Sequence, residues 1–252
     1  MGKIALTLLF HGGSFHGWQV QKNSFTIQQA VQNALEGALG FRPDVTGCSR
    51  TDAGVHANEF VCHIDSDRIA ISPEGLPKAI NTQFTRDKRT YGKIAVKSAE
   101  YKEDDFHARY SSVGKEYVYK IWNAHYRNPF LEGNAFFYPK NVEIADASFA
   151  CEEFAGTHDF YAFMAKGSKS KENTIRTVNY FKVKKENELI EISVCADGFL
   201  YNMVRIMVGT YLLCATENYK KGDIAQIIEQ KNRALAGDTA PAHGLYLNKV
   251  FY

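Results

Sequence analysis

One order of segments, strand-helix-strand-strand-helix-strand, can be read twice along these 252 residues. That order limits the chain to folds that pack helices on a largely antiparallel sheet. The first pass opens with a strand from Lys3 to Phe10. A helix follows in which Ile27, Ala30, Val31, Ala34, Leu35, Ala38 and Leu39 recur at i, i+3, i+4 and onward, with Thr26 or Ser24 available as its N-cap. Strands are expected at 44–47 and 59–65, the second alternating Phe60, Cys62 and Ile64. Ser72-Pro73 predicts a helix start with proline in the first turn, running to about Thr82, and 90–98 closes the pass as a strand.

The second pass begins with the alternation Tyr117, Tyr119, Ile121 within 115–122. Asp146 opens a helix to Phe154, strands follow at 174–184 and 188–195, and an apolar helix covers 199–215. A further helix at 223–231 and a last strand at 245–251 complete it. The expected fold class is α+β. It consists of two similar split β-α-β domains, ferredoxin-like or RRM-like, with adjoining mainly antiparallel sheets and helices packed on one face. The division falls at 1–105 and 106–252, with a ligand cleft expected between the halves.

Composition excludes several classes. Hydrophobic residues make up 45% and charged residues 23%, as in an ordinary globular protein. Nothing approaches the apolar run of a membrane span, and Met1-Gly2-Lys3-Ile4 leads into a strand without the features of a secretory signal. The five cysteines are scattered, which favours reduced thiols and a cytoplasmic setting over a disulfide framework or zinc site. A net charge of +2 permits a nucleic-acid partner without demanding one.

Three features carry candidate chemistry. Arg50, Asp52 and His56 lie within seven residues, between two strands. Thr-Asp-Ala-Gly is also ordinary turn chemistry, although loops on rigid scaffolds are where catalytic residues concentrate. Arg205 is the sole charged residue between Gly198 and Thr216, on a helix apolar nearly all round. A guanidinium there either reaches the surface, bonds carbonyls, or meets a carboxylate from elsewhere in the fold. Tyr117, at the start of a strand, either packs in the core or presents a stacking surface to an unpaired base. Lys166, Lys169 and Lys171 in a Gly/Ser loop form a cluster of a kind that is more often a solvated face than a phosphate contact, and Arg109 lies in the basic stretch before Tyr117. No phosphate-loop, dinucleotide or zinc-protease spacing is present, so neither cofactor nor metal is expected.

Together these segments resemble the tRNA pseudouridine synthase A family over essentially the whole chain. The strongest element is Arg50-Thr51-Asp52-Ala53-Gly54-Val55-His56-Ala57. It is supported by Gly17-Trp18-Gln19, Asp105-Phe106-His107-Ala108-Arg109, Tyr117-Val118-Tyr119, Met203-Val204-Arg205 with Gly209, and Gly244-Leu245-Tyr246-Leu247. Ser49 stands where the family usually has Gly, and Met164 where relatives often carry Arg. The resemblance implies Asp52 as nucleophile, Arg205 as its ion-pair partner, and Tyr117 as the stacking surface for the target uracil and a candidate base. It implies that Arg50, His56, Arg109, Lys166 and Lys169 bind substrate. It further implies action without metal or cofactor on uridines 38 to 40 of the tRNA anticodon stem-loop, by a homodimer that also holds the tRNA elbow. The competing readings are a catalytically silent tRNA-binding protein of the same fold, and a glycosidase pairing Asp52 with Glu59.

Overall fold

The computed structural model describes residues 2–165, 167, 173–217 and 219–252. The chain divides into two compact units, Met1–Val113 with Tyr246–Tyr252, and Gly114–Leu245.

In the first unit, β1 (Lys3–Phe10) is followed by α1 (Ile27–Leu39), β2 (Thr46–Gly47), β3 (His56–Asp65), α2 (Leu76–Arg86) and β4 (Ile94–Lys102). Strand β1 lies between β3 and β4 and is antiparallel to both. Its Ile4, Leu6 and Leu8 are buried, as are Phe60, Cys62 and Ile64 of β3. α1 follows its predicted period: Ile27, Ala30, Val31, Ala34 and Leu35 are buried, the Thr26 hydroxyl accepts from Gln29 N, and Gly40 ends the helix at φ 77°.

Helix α2 begins later than Ser72-Pro73 suggests. The Ser72 carbonyl accepts from Gly75 N and Leu76 N, so that segment makes a turn, and Pro77 supplies the first-turn proline. Strand β4 starts at Ile94 because Thr90 is drawn into a turn. Its hydroxyl bonds the Phe84 and Asp87 carbonyls, and Gly92 takes φ 69°.

The second unit contains β5 (Gly114–Trp122), β6 (Phe136–Phe137), α3 (Ser148–Phe154), β7 (Gly156–Asp159), β8 (Ile175–Glu186), β9 (Leu189–Ala196), α4 (Met203–Cys214) and α5 (Asp223–Gln230). Its strands run in the order β5-β9-β8-β7, each pair antiparallel, with β6 added parallel to β5. On β5 the alternation buries Tyr117, Tyr119 and Ile121. Helix α4 is buried nearly all round, as its sequence implies, but starts at Met203 because Asn202 has left-handed backbone.

The final strand, β10 (Leu245–Phe251), pairs with β3 in parallel, Tyr246 opposite His56 and Leu247 opposite Ala57. The first unit is therefore discontinuous in sequence, unlike a contiguous division at residue 105.

Candidate active site

In the first unit, the loop from Cys48 to Val55 carries Asp52 between β2 and β3, and its backbone is held from several sides. Thr51 O accepts from Trp18 N at 3.1 Å, Asp52 O from Val55 N at 3.2 Å, and Val61 O from Cys48 N at 2.8 Å. Two glycines let the N-terminal segment press on this loop. A Cβ at Gly12 would lie 1.9 Å from Val55 O, and one at Gly17 would lie 2.6 Å from Thr51 O, where φ is also +77°. Trp18 stacks on Phe60 with ring centres 4.2 Å apart, anchoring the clamp to β3. Asp52 itself is half-buried.

His56 closes the loop from below. Its Nδ1 accepts from Gly12 N at 3.1 Å, Tyr246 stacks on its ring at 4.6 Å, and His11 meets it edge-on at 4.5 Å. His56, read from sequence as substrate-binding, is 1% exposed. Burial pushes the Tyr246 phenol up to about 12, keeping that supporting ring neutral. Arg50 is exposed. Arg109 is exposed too, in the turn after β4, with its guanidinium 5.6 Å from the Tyr110 ring centre. Lys166 and Lys169, with Lys171, lie outside the described residues.

In the second unit, Tyr117 is opposite Val194 of β9, 7% exposed, with Phe199 packed edge-on at 5.2 Å. Arg205 is the third residue of α4. Its Nε donates to Ala240 O at 2.6 Å and its Nη1 to Asn202 Oδ1 at 2.9 Å, while its own carbonyl accepts from Ala240 N at 3.1 Å. The segment bearing Ala240 is pressed onto α4 through glycines: a Cβ at Gly209 would lie 1.8 Å from Asp238 O, and Gly237 N donates to the buried Thr210 hydroxyl. Tyr119, wholly buried, donates its hydroxyl to Pro241 O at 2.7 Å. Burial drives its phenol far above the ordinary range, so it serves as a neutral donor.

The sequence singled out Asp52, Tyr117 and Arg205 but not what holds them. The glycines at 12, 17, 209 and 237 mark close backbone approach, a signal present in the sequence but without a partner attached to it. Tyr119 stood in the sequence only as part of a strand alternation and a motif, and Asn202 was not singled out although it lies three residues from Arg205. The acceptors at Ala240 and Pro241 lie 35 and 122 residues from their donors. A carboxylate on a fixed loop suits attack on an electrophilic carbon, and a guanidinium with a set plane suits holding an anion. Among the described residues no group of three His, Cys, Asp or Glu is placed to hold a metal ion, and no helix is long and apolar enough to cross a membrane.

A family model described as tRNA pseudouridine synthase matches residues 150–252. Curated proteins named tRNA pseudouridine synthase A align over the full length of both partners. The one from Ruminiclostridium cellulolyticum is 40% identical over 253 residues, covering 100% of each chain. That from Acetivibrio thermocellus is 36% identical over 252 residues, and that from Clostridium kluyveri 40% over 253, again with 100% of each chain covered. Identity at this level, end to end, leaves no segment of either unit outside the comparison, and the chain belongs to the tRNA pseudouridine synthase A family.

Proposed function

We propose that this protein isomerises uridine to pseudouridine at positions 38 to 40 of the tRNA anticodon stem-loop, with Asp52 as the nucleophile. The observation that carries the reading is the clamped loop: Thr51 O, Asp52 O and Val55 N are all fixed by hydrogen bonds around a half-buried carboxylate. A carboxylate fixed before substrate arrives loses little freedom on reaction.

Uridine and pseudouridine are isomers. The bond from C1′ to N1 breaks, the uracil turns over, C5 bonds to C1′, the proton on C5 leaves, and N1 gains a proton. Asp52 acts either by trapping the electron-poor C1′ or by adding to C6 of the ring. Arg205 pairs with Asp52 and keeps it ionised. The target nucleotide is flipped out, Tyr117 stacks on its base, and Tyr117 is the candidate acceptor of the C5 proton. Arg50, Arg109, Lys166 and Lys169 engage the RNA backbone along stem-loop and elbow, in a homodimer. His56 serves the loop that presents Asp52.

The test is to incubate the protein with unmodified tRNA transcripts and map pseudouridine base by base. Product at 38 to 40 is expected, and none from the wild type would sink the reading. Asp52→Ala should abolish product with tRNA binding largely retained, and substantial turnover by that variant would remove Asp52 from its role.

A further inference from the structure

Asn202 spends its backbone and its side chain in an unusual way. Three described non-glycine residues have positive φ: Asn187, Asn202 and Lys231. Asn187 lies in the turn between β8 and β9, and Lys231 ends α5, both places where a left-handed residue closes an element. Asn202 instead opens a helix, at φ 60° and ψ 11°, where extended backbone is the rule. An asparagine there ordinarily turns its side chain onto an amide of the first helical turn. Asn202 makes no such capping bond. Its Oδ1 receives Arg205 Nη1 at 2.9 Å, while Ala240 O receives Nε at 2.6 Å. Two acceptors on different nitrogens define the plane of the guanidinium, and one of them is bound at the expense of both a helix cap and an unstrained backbone.

We infer that Asn202 is a positioning residue for catalysis: it aims the Arg205 guanidinium at the start of α4. The inference rests on the reading in which Arg205 acts on the nucleophile, and it predicts how stability and turnover separate. Glycine adopts positive φ freely, so Asn202→Gly satisfies the backbone and removes only the acceptor. A purely structural asparagine would be replaced well by glycine and badly by alanine.

Full-length Asn202→Gly, Asn202→Ala and Arg205→Lys are compared with wild type on unmodified tRNA transcripts, with a melting curve for each. Asn202→Gly is expected to melt above Asn202→Ala, yet both should lose about tenfold in kcat, the scale of one hydrogen bond to a charged group, with KM within about twofold. Wild-type kcat in Asn202→Gly beside a slow Arg205→Lys overturns this inference alone. A loss carried by KM with kcat unchanged also overturns it, because Asn202 would then be contacting RNA. Wild-type turnover in Arg205→Lys overturns the role given to Arg205, and the positioning role with it.

Discussion

The hydroxyl of Thr51, one residue before the proposed nucleophile, is buried with no hydrogen-bond partner among the described residues. The residue is 7% exposed, and the hydroxyl oxygen itself is buried. Leaving a buried polar group unsatisfied costs about 1–3 kcal/mol, and replacing it with a methyl of the same shape removes the cost. Thr51→Val is therefore expected to raise the melting temperature, corresponding to about 1 kcal/mol. A lower melting temperature would show that the hydroxyl is bonded after all. At this scale the sequence was informative wherever a residue type is rare in its surroundings. Arg205 stood out as a lone cation in an apolar helix, and two of its fixing bonds run to Asn202, on the preceding turn, and to Ala240, 35 residues on. A backbone carbonyl carries no side-chain signature, so the second acceptor could not be read from any spacing of residue types.

Elements were legible where their signals are local and not where a cap or staple comes from elsewhere. α1 declares itself through its apolar period and Thr26, three residues from the amide it caps. α5 is capped from another helix: Glu153 of α3 accepts from Gly222 N at 2.6 Å and from Ile224 N and Ala225 N at 3.1 Å. Losing a carboxylate that satisfies a helix N-terminus costs about 1–2 kcal/mol, so Glu153→Ala should lower the denaturation midpoint and Glu153→Gln should lower it less. Equal midpoints in all three proteins would contradict the cap. His63 of β3 plays a comparable part for the turn after β4, accepting from Ala108 N through Nδ1 at 3.1 Å and packing edge-on against Phe106 and His107. Burial lowers its imidazole from 6.5 to about 4, with His107 and Lys3 acting in the same direction. The folded state thus prefers neutral His63. The stability it confers is complete above the unfolded value near 6.5 and drains away as pH falls toward 4. His63→Asn should flatten the fall in melting temperature over that window, and an unchanged slope would rule His63 out as its source.

For the molecule as a whole, the second unit adds β6 and β7 to the expected order and its expected closing strand joins the first unit, whereas the order from β1 to β4 was readable because hydrophobic period is a property of neighbouring residues. The partner of the last strand was not. Nothing in Leu245–Phe251 says that it pairs with a strand laid down nearly two hundred residues earlier. The attachment is extensive: besides the pairing with β3, Val113 N bonds Phe251 O, Asn58 bonds Asn248 at 2.9 Å, and the Tyr252 hydroxyl donates to Ala108 O at 2.7 Å. Deleting Tyr246–Tyr252 is expected to make residues 1–113 readily cleaved by protease, and digestion at the wild-type rate would show that the strand is dispensable there. Time on the ribosome gives this topology a further meaning. β1 covers one edge of β3, and β2 covers only its far end at Cys62 and His63, so the end at His56 and Ala57 waits for β10. Synthesis at about 5–20 residues per second puts on the order of ten seconds between completion of the first unit's N-terminal part and emergence of that strand. Throughout that interval the nascent chain exposes an unpaired strand edge beside the very loop that bears Asp52, a segment that chaperones or neighbouring nascent chains would meet before β10 does.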